Sequence, residues 1–455
     1  MKNGKRSSFS GKLGYVLAAA GASVGLGNIW RFPYLAAKYG GGIFLIIYIV
    51  LALTFGYTMI VAETAIGRMT RKSPVGAFKS FGKKKWLSFG GWINAVIPVL
   101  IVPYYSVIGG WVIKYLVEYF RGNAKLLAED GYFTDFISNG VSTELCFVAF
   151  CAFTLIIIFA GVQNGIERVS KIMMPILIVL SVIIAVYSVT RPGALAGVKY
   201  FLVPNVKNFS WMTVVSAMGQ MFYSLSIAMG ILITFGSYMK KDTAIEDSTR
   251  NVEVFDTGIA IMAGLMIIPA VFAFSGGDPD TLQAGPSLMF ITIPKVFQNM
   301  GFGTVIGIVF FLLVLFAAVT SSIALTESAV STFEDELGWG RKKATVLVGV
   351  IMLVLGSLSS LGYGPLAEIK IIGMQFLDLF DFLTNSVMMP IAALLTSLLV
   401  SRVVGIDKIE EEIIHGESAF RRKKVFVVMI KYLCPVFAII ILLSSVANAL
   451  GWIKM

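Results

Sequence analysis

The stretch "GASVGLGNIWRFP", residues 21–33, puts three glycines, an asparagine, an arginine and a proline inside an apolar run otherwise long enough to cross a membrane. In a helix interior Gly costs about 1 kcal/mol and Pro about 3. A backbone group left unpaired in hydrocarbon costs several more. A helix broken here must gain something in return. Unwinding exposes the backbone carbonyls of Gly21, Ser23 and Val24 and aims a new helix N-terminus, near Leu26 and Gly27, into the membrane. Carbonyls suit a hard cation, and a helix N-terminus suits a carboxylate. The break therefore reads as a place where Na+ and an anionic group meet. Read instead as a helix-packing face, Gly21 and Gly25 would leave Gly27, Asn28 and Arg31 unexplained.

The rest of the chain agrees with a membrane setting. Of 455 residues, 57% are hydrophobic and 14% charged, and the mean hydropathy is +0.84. These values place the chain outside the soluble class. A span needs about 20 apolar residues, and eleven runs qualify: 13–37, 41–67, 87–120, 145–161, 168–190, 211–238, 252–275, 302–332, 344–362, 377–401 and 425–450. The basic start "MKNGKR" leads into a full-length span, so no cleavable signal peptide is expected.

The net charge of +11 is a topology signal and does not point to nucleic acid. Basic residues gather before span 1, between spans 2 and 3, after span 8 and before span 11, all on one side if the spans alternate. The opposite side carries the acidic 121–144 segment. The positive-inside rule then puts the N-terminus in the cytoplasm and, after eleven spans, the C-terminus outside. Cys146, Cys151 and Cys434 lie in or beside spans as small buried hydrophobes. With His415 as the sole histidine, neither a zinc site nor a Ser-His-Asp triad can be built.

Further polar residues sit inside spans. Span 6 is interrupted by "YSLSIAMG", residues 223–230, five spans after the first break and so running the opposite way. Paired interrupted spans in two halves point to the binding site of an inverted-repeat transporter. Span 8 carries Thr320, Ser321 and Ser322, and span 3 carries Tyr104 and Tyr105, one of which could offer its hydroxyl to a substrate. Glu63 and Asp256 lie in or at the edge of spans, where carboxylates are functional by default. Asp256 could instead pair with a basic residue at the end of span 7. Pro175, with Gly165 ahead of it, removes a helical hydrogen bond in span 5, so that end of the helix is expected to unwind. The segment "KSPVGAFKSFGKKK" after span 2 reads equally as an irregular loop or a surface-lying piece.

The motifs "AGASVGLGNIWRFPYLAAKYGGGIF", "GQMFYSLS", "AAVTSSIAL" and "FEDEL" together resemble the neurotransmitter:sodium symporter family over essentially the whole chain. In pattern the chain is most similar to its eleven-span bacterial multi-hydrophobic and tyrosine transporters. The resemblance implies an all-α polytopic membrane protein of one domain. Two inverted five-helix repeats (13–190 and 211–401) would be followed by an extra span at 425–450. It implies a first Na+ site from the Ser23 carbonyl, Asn28, Ser224, Asp256 and the substrate carboxylate. A second would use the Gly21, Val24 and Ala317 carbonyls with Thr320 and Ser321. The substrate pocket would comprise Ala22, Ser23, Gly25, Leu26, Gly27, Ile101, Tyr105, Tyr223, Ser224, Ser226, Met229, Ser321 and Leu325. Arg31 and Asp381 would form an extracellular gate, Arg6 and Asp335 a cytoplasmic one. Asp256 stands where the leucine transporter has an asparagine.

The expected activity is Na+-coupled import of hydrophobic L-amino acids, aromatic ones above all, across the cell membrane by alternating access. A sensor or channel on the same fold is the rival, and counterflow of labelled substrate separates them. Amine carriers of the family place an aspartate at the position of Gly25; here that space is free for the substrate's own carboxylate. Chloride independence is also expected, because Asp256 supplies the negative charge that the anion gives in chloride-dependent relatives, from a cup corresponding to Tyr48, Gln220 and Ser224.

Overall fold

The computed structural model describes residues 6–276, 285–449 and 452. Over these the chain is helical, and the only β-type pairings are two isolated bridges, Gly41–Pro204 and Ile371–Met374. Nine helices among the described residues are long and apolar enough to cross a membrane: Gly42–Thr70, Lys85–Phe120, Gly140–Phe159, Val162–Val189, Ile245–Ser275, Gly303–Leu337, Arg341–Leu361, Phe376–Val404 and Lys423–Asn448. These are spans 2–5 and 7–11. Span 1 corresponds to the pair Lys12–Ser23 and Gly27–Lys38, bent by 53°, which is long and apolar enough to make a tenth if the pair is taken as one span. Span 6 consists of two short helices, Trp211–Ser224 and Ile231–Ser237, parted by residues 225–230.

Helix ends differ from the apolar runs where polar residues continue the helix beyond hydrocarbon. Span 7 starts at Ile245, well before 252, and Glu246 and Asp247 occupy its first turn, where acidic groups favour the helix dipole but lower hydropathy. Span 4 starts at Gly140, with Asn139 Oδ1 accepting from Ser142 N at 3.0 Å as an N-cap. Connections counted as loops hold helices: Ala124–Leu127, Tyr132–Ser138, Ala194–Leu202, Leu288–Gln298 and Ile406–Ile414. Pro74–Lys79 is a helix as well, and it is no surface segment. Its Val75, Ala77 and Phe78 are buried against Gly90 and Gly91 of span 3. Span 5 does not unwind here: it is wound without a gap from Val162, its first turns π-helical over Val162–Glu167, and Pro175 sits inside the helix.

Spans 2 and 6 touch backbone to backbone. A Cβ on Gly67 would lie 2.0 Å from the Ile233 carbonyl oxygen, and one on Gly236 would lie 2.5 Å from that of Thr64. Small residues permit such approach between membrane helices, where dispersion replaces the hydrophobic effect as the packing force. On the face that carries the N-terminal residues, a strap over residues 405–424 is tied down by buried charge. Arg68 is wholly buried, and its Nε donates to Glu412 Oε1 at 2.7 Å while a terminal nitrogen donates to the Thr243 carbonyl at 2.5 Å. Lys241 reaches the same carboxylate at 2.7 Å. Glu246 accepts from the Arg421 and Arg422 amides, at 2.8 and 2.9 Å, and Arg422 lies 3.9 Å over the Tyr57 ring. Removing one partner of such a pair costs about 3–5 kcal/mol, because the other charge is left buried alone.

Candidate functional site

The two breaks face each other. In span 1 the helix stops at Ser23, Val24 turns to an extended conformation, and helical backbone resumes as a π-turn over Gly27–Arg31. In span 6 the chain between the two short helices takes positive φ at Ser226, Ala228 and Gly230. Two of these are not glycine, a strained choice costing about 1–3 kcal/mol each that the surroundings must enforce. They do so by hydrogen bonding. Ser226 Oγ donates to the Ala22 carbonyl at 2.9 Å, and the Ala228 amide donates to Glu63 Oε1 at 2.7 Å. Glu63, fully buried in span 2, thus takes the place of a missing helical carbonyl.

Between the breaks lies a cavity bordered by every expected pocket residue except Ser224: Ala22, Ser23, Gly25, Leu26 and Gly27 of span 1, Ile101 and Tyr105 of span 3, Tyr223, Ser226 and Met229 of span 6, and Ser321 and Leu325 of span 8. Asn28 borders it too. Its floor is kept open by absent side chains. A Cβ on Gly25 would sit 2.6 Å from Ser321 Oγ and 3.1 Å from the Tyr105 hydroxyl, and one on Gly27 would enter the Tyr223 ring at 2.3 Å. Tyr105 accepts from the Leu26 amide at 3.3 Å. The free space is about 30 Å³, enough for one or two waters, so the walls are drawn in. One end is polar backbone and hydroxyl; the other is Ile101, Met229 and Leu325.

Ser224 belongs to a second group centred on Asp256. This carboxylate is fully buried and accepts from Asn28 Nδ2 at 2.8 Å, Ser224 Oγ at 2.9 Å and the Tyr48 hydroxyl at 2.9 Å. All three partners are neutral, and no basic residue of span 7 bonds it. Asn28 Oδ1 meanwhile accepts from the Gly25 amide at 3.3 Å, joining this cluster to the cavity. Gln220 Nε2 donates to the Gly27 carbonyl at 3.0 Å, while its Oε1 is buried without a partner. An uncompensated carboxylate in a membrane interior favours a cation nearby.

Spans 1 and 8 meet at the second expected cation position. A Cβ on Gly21 would fall 3.1 Å from that of Thr320. Ser321 Oγ is 3.3 Å from the Gly21 carbonyl and 3.2 Å from that of Ala22, and Thr320 Oγ1 donates to the Ala317 carbonyl at 3.1 Å. Val24 opens the break one turn beyond Gly21.

The residues expected to form the gates behave differently on the two faces. On the N-terminal face Arg6 pairs with Asp335 at 2.6 Å and donates to Ser331 at 2.8 Å and Ser237 at 2.9 Å. Asp335 also accepts from the Ser73 amide at 2.6 Å, and Tyr238 and Arg341 converge on buried Glu327 at 2.7 and 2.6 Å. That face is sealed. On the far face Arg31 and Asp381 line a cavity of about 580 Å³ together with Tyr104, Tyr223 and Tyr363, and they do not pair. Arg31 lies 5.3 Å over the Tyr223 ring, whereas Asp381 accepts from Asn385 at 2.6 Å and Tyr104 at 3.2 Å. Tyr223 lines both cavities. Asn385, Ser237 and Ser331 escaped the sequence reading, which named Tyr104 only as a possible donor to substrate: each is an ordinary span residue, and only the fold brings it to the expected gate residues.

Comparison with known proteins agrees with this arrangement. The model of the Sodium:neurotransmitter symporter family matches residues 6–127 and 134–451. The uncharacterized sodium-dependent transporter YhdH of Bacillus subtilis is 34% identical over 98% of this chain and 99% of its own. The human sodium- and chloride-dependent GABA transporter 2 is 26% identical over 90% of this chain and 75% of its own. The crystal structure of MhsT in complex with L-phenylalanine superposes with a TM-score of 0.87 at 35% identity, covering 97% of this chain and 100% of that one. Broken spans facing each other over a small cavity, beside a buried uncompensated carboxylate, are thus found in a chain that belongs to the sodium:neurotransmitter symporter family, membrane transporters dependent on sodium and not enzymes.

Proposed function

We propose that this protein imports hydrophobic L-amino acids, aromatic ones included, together with Na+ and without a chloride requirement. It would do so as eleven spans in two inverted repeats and a final helix, with a cytoplasmic N-terminus and an extracellular C-terminus. The observation that carries the reading is the pairing of the cavity with Asp256. Gly25 leaves space for a substrate carboxylate among backbone amides and the Tyr105 hydroxyl, and no charged side chain borders the apolar end. Asn28 links that space to a fixed negative charge that neutral donors alone hold. The first Na+ would sit among Asn28, Ser224, Asp256 and the Ser23 carbonyl. The second would sit among Gly21, Val24, Ala317, Thr320 and Ser321. The amino-acid ligand of MhsT, at 35% identity, supports the same substrate class.

With the N-terminal face sealed and the far face open above Tyr223, the arrangement corresponds to the outward-facing side of an alternating-access cycle. Arg31 and Asp381 would close over a bound substrate. The test is uptake of labelled L-phenylalanine into proteoliposomes under an inward Na+ gradient, in competition with each of the twenty amino acids. Uptake should vanish with choline in place of Na+, and hydrophobic amino acids should compete while Lys, Arg, Asp and Glu do not. Asn28→Ala and Thr320→Ala should each raise the Na+ concentration required. Na+-independent uptake, or both variants matching the parent, refutes the reading.

A further inference from the structure

Away from the transport pathway, a cavity of about 560 Å³ opens on the outer wall between the start of span 4 and the end of span 9. It is lined by Val141, Leu145 and Val148 on one side and by Leu361 and Pro365 on the other, with Glu144 between them. Residues 141, 144, 145 and 148 share one helix face. Val141 is 73% exposed and Leu145 68%, which on a membrane helix means exposure to lipid. Glu144 is the one charged group among the described residues that line the cavity. Its Oε2 accepts from Ser357 Oγ at 3.1 Å, whereas its Oε1 is buried and has no donor.

A carboxylate that lines an acyl-sized apolar groove, with one hydroxyl as its donor, is costly to keep there unless a ligand brings a matching positive charge. We infer that this groove is a binding site for an aminophospholipid such as phosphatidylethanolamine, whose ammonium pairs with the groove-lining Glu144 carboxylate while an acyl chain lies along Val141, Leu145 and Val148. Two features favour this occupant. The ammonium matches the charge of Glu144, and a primary amine carries N–H donors that a choline headgroup lacks. The N-terminus of the span 4 helix begins at Gly140, about 6 Å along the axis from Glu144. Its free amides and dipole sit where the phosphate of the same headgroup would fall, because side chains lean back toward the helix start. Gly140 opens the mouth, since a side chain there would press on Leu361 and Pro365, 3.1 Å away.

The test reads lipid retention and needs no transport assay. The protein is reconstituted in nanodiscs holding equal phosphatidylethanolamine, phosphatidylcholine and phosphatidylglycerol, extracted in mild detergent, and its retained lipids are counted by native mass spectrometry. Phosphatidylethanolamine should be enriched about tenfold over phosphatidylcholine, the ratio for one charge-assisted hydrogen bond. Glu144→Gln should abolish the preference, and Leu145→Trp, which fills the groove, should remove the bound lipid with Glu144 intact. Equal retention of the three lipids overturns the assignment, as does preference for phosphatidylglycerol or an unchanged profile in Glu144→Gln. A dimer held through this wall, with no retained lipid, overturns it too.

Discussion

Replacing Asp256 with Asn is the sharpest perturbation the site offers. The side chain keeps its size, and Asn28 and Ser224 can still bond its oxygen. Tyr48, which donates to Oδ2 at 2.9 Å, would face an amide N–H instead. What is lost is the charge. A cation among Asn28, Ser224 and Asp256 would lie within about 5 Å of the carboxylate, and at an effective dielectric of about 20 their attraction is about 3 kcal/mol. Among the described residues no cationic side chain bonds Asp256, so the full amount falls on the ion. Three kcal/mol is about two orders of magnitude in an affinity. The half-saturating Na+ concentration for binding labelled L-phenylalanine, read by scintillation proximity on purified protein, should therefore rise about a hundredfold. The second reading is anion dependence: native uptake should be the same in sodium gluconate and sodium chloride, while the variant should be crippled or chloride-stimulated. A variant whose Na+ requirement moves less than threefold and ignores chloride would refute the reasoning, as would a native protein that stops without chloride.

Other positions give independent checks. Met229 is unbranched and deformable and walls the apolar end, so Met229→Phe should shift competition from Trp, Tyr and Phe toward smaller aliphatic amino acids; a native protein preferring Ala or Leu to every aromatic contradicts the argument. Ala228 has φ of +58°, so Ala228→Gly should leave thermal stability within about 1 kcal/mol, its relieved strain offset by the freer unfolded chain. Ala228→Val should cost about 1–3 kcal/mol; equal melting of the two would show the backbone there to be unconstrained. Arg6→Ala removes the bonds to Asp335, Ser237 and Ser331, so a cysteine replacing Ser226 should become more reactive to membrane-impermeant thiol reagents applied from the N-terminal face, and unchanged reactivity would discount that seal.

What could be read from the sequence was what membrane physics penalises. Gly25, Gly27 and Pro33 in an apolar run, and Ser224, Ser226 and Gly230 in another, announce broken spans because each would cost an intact helix stability for nothing. Asp256 stands out for the same reason. Contacts dictated by the fold were not visible. Ser224 and Met229 are five residues apart in one motif, yet Ser224 ends the first half of span 6 on Asp256 while Met229 lies within the break at the cavity. The start of span 7 was hidden by Glu246 and Asp247, which end an apolar count although they extend the helix. Arg31 and Asp381 show a further limit: opposite charges in two spans suggest a pair, whereas here they line one cavity without pairing, Arg31 over Tyr223 and Asp381 on Asn385.

The anchored strap on the N-terminal face bears on how motion of this molecule can be watched. Glu412 is fixed to Arg68 of span 2, and the Arg421 and Arg422 amides to Glu246 of span 7, while Ser418 and Ala419 between them are exposed. A spectroscopic label on this turn is carried by those spans and does not wander as a loop would. Trp339, exposed in the turn after span 8, supplies the second point. Cys151 and Cys434 are buried, which leaves Cys146 as the native thiol to replace before labelling. The separation between labels at Ser418 and Trp339 then becomes a ruler for the opening of the sealed face, tied to rigid helices at both ends.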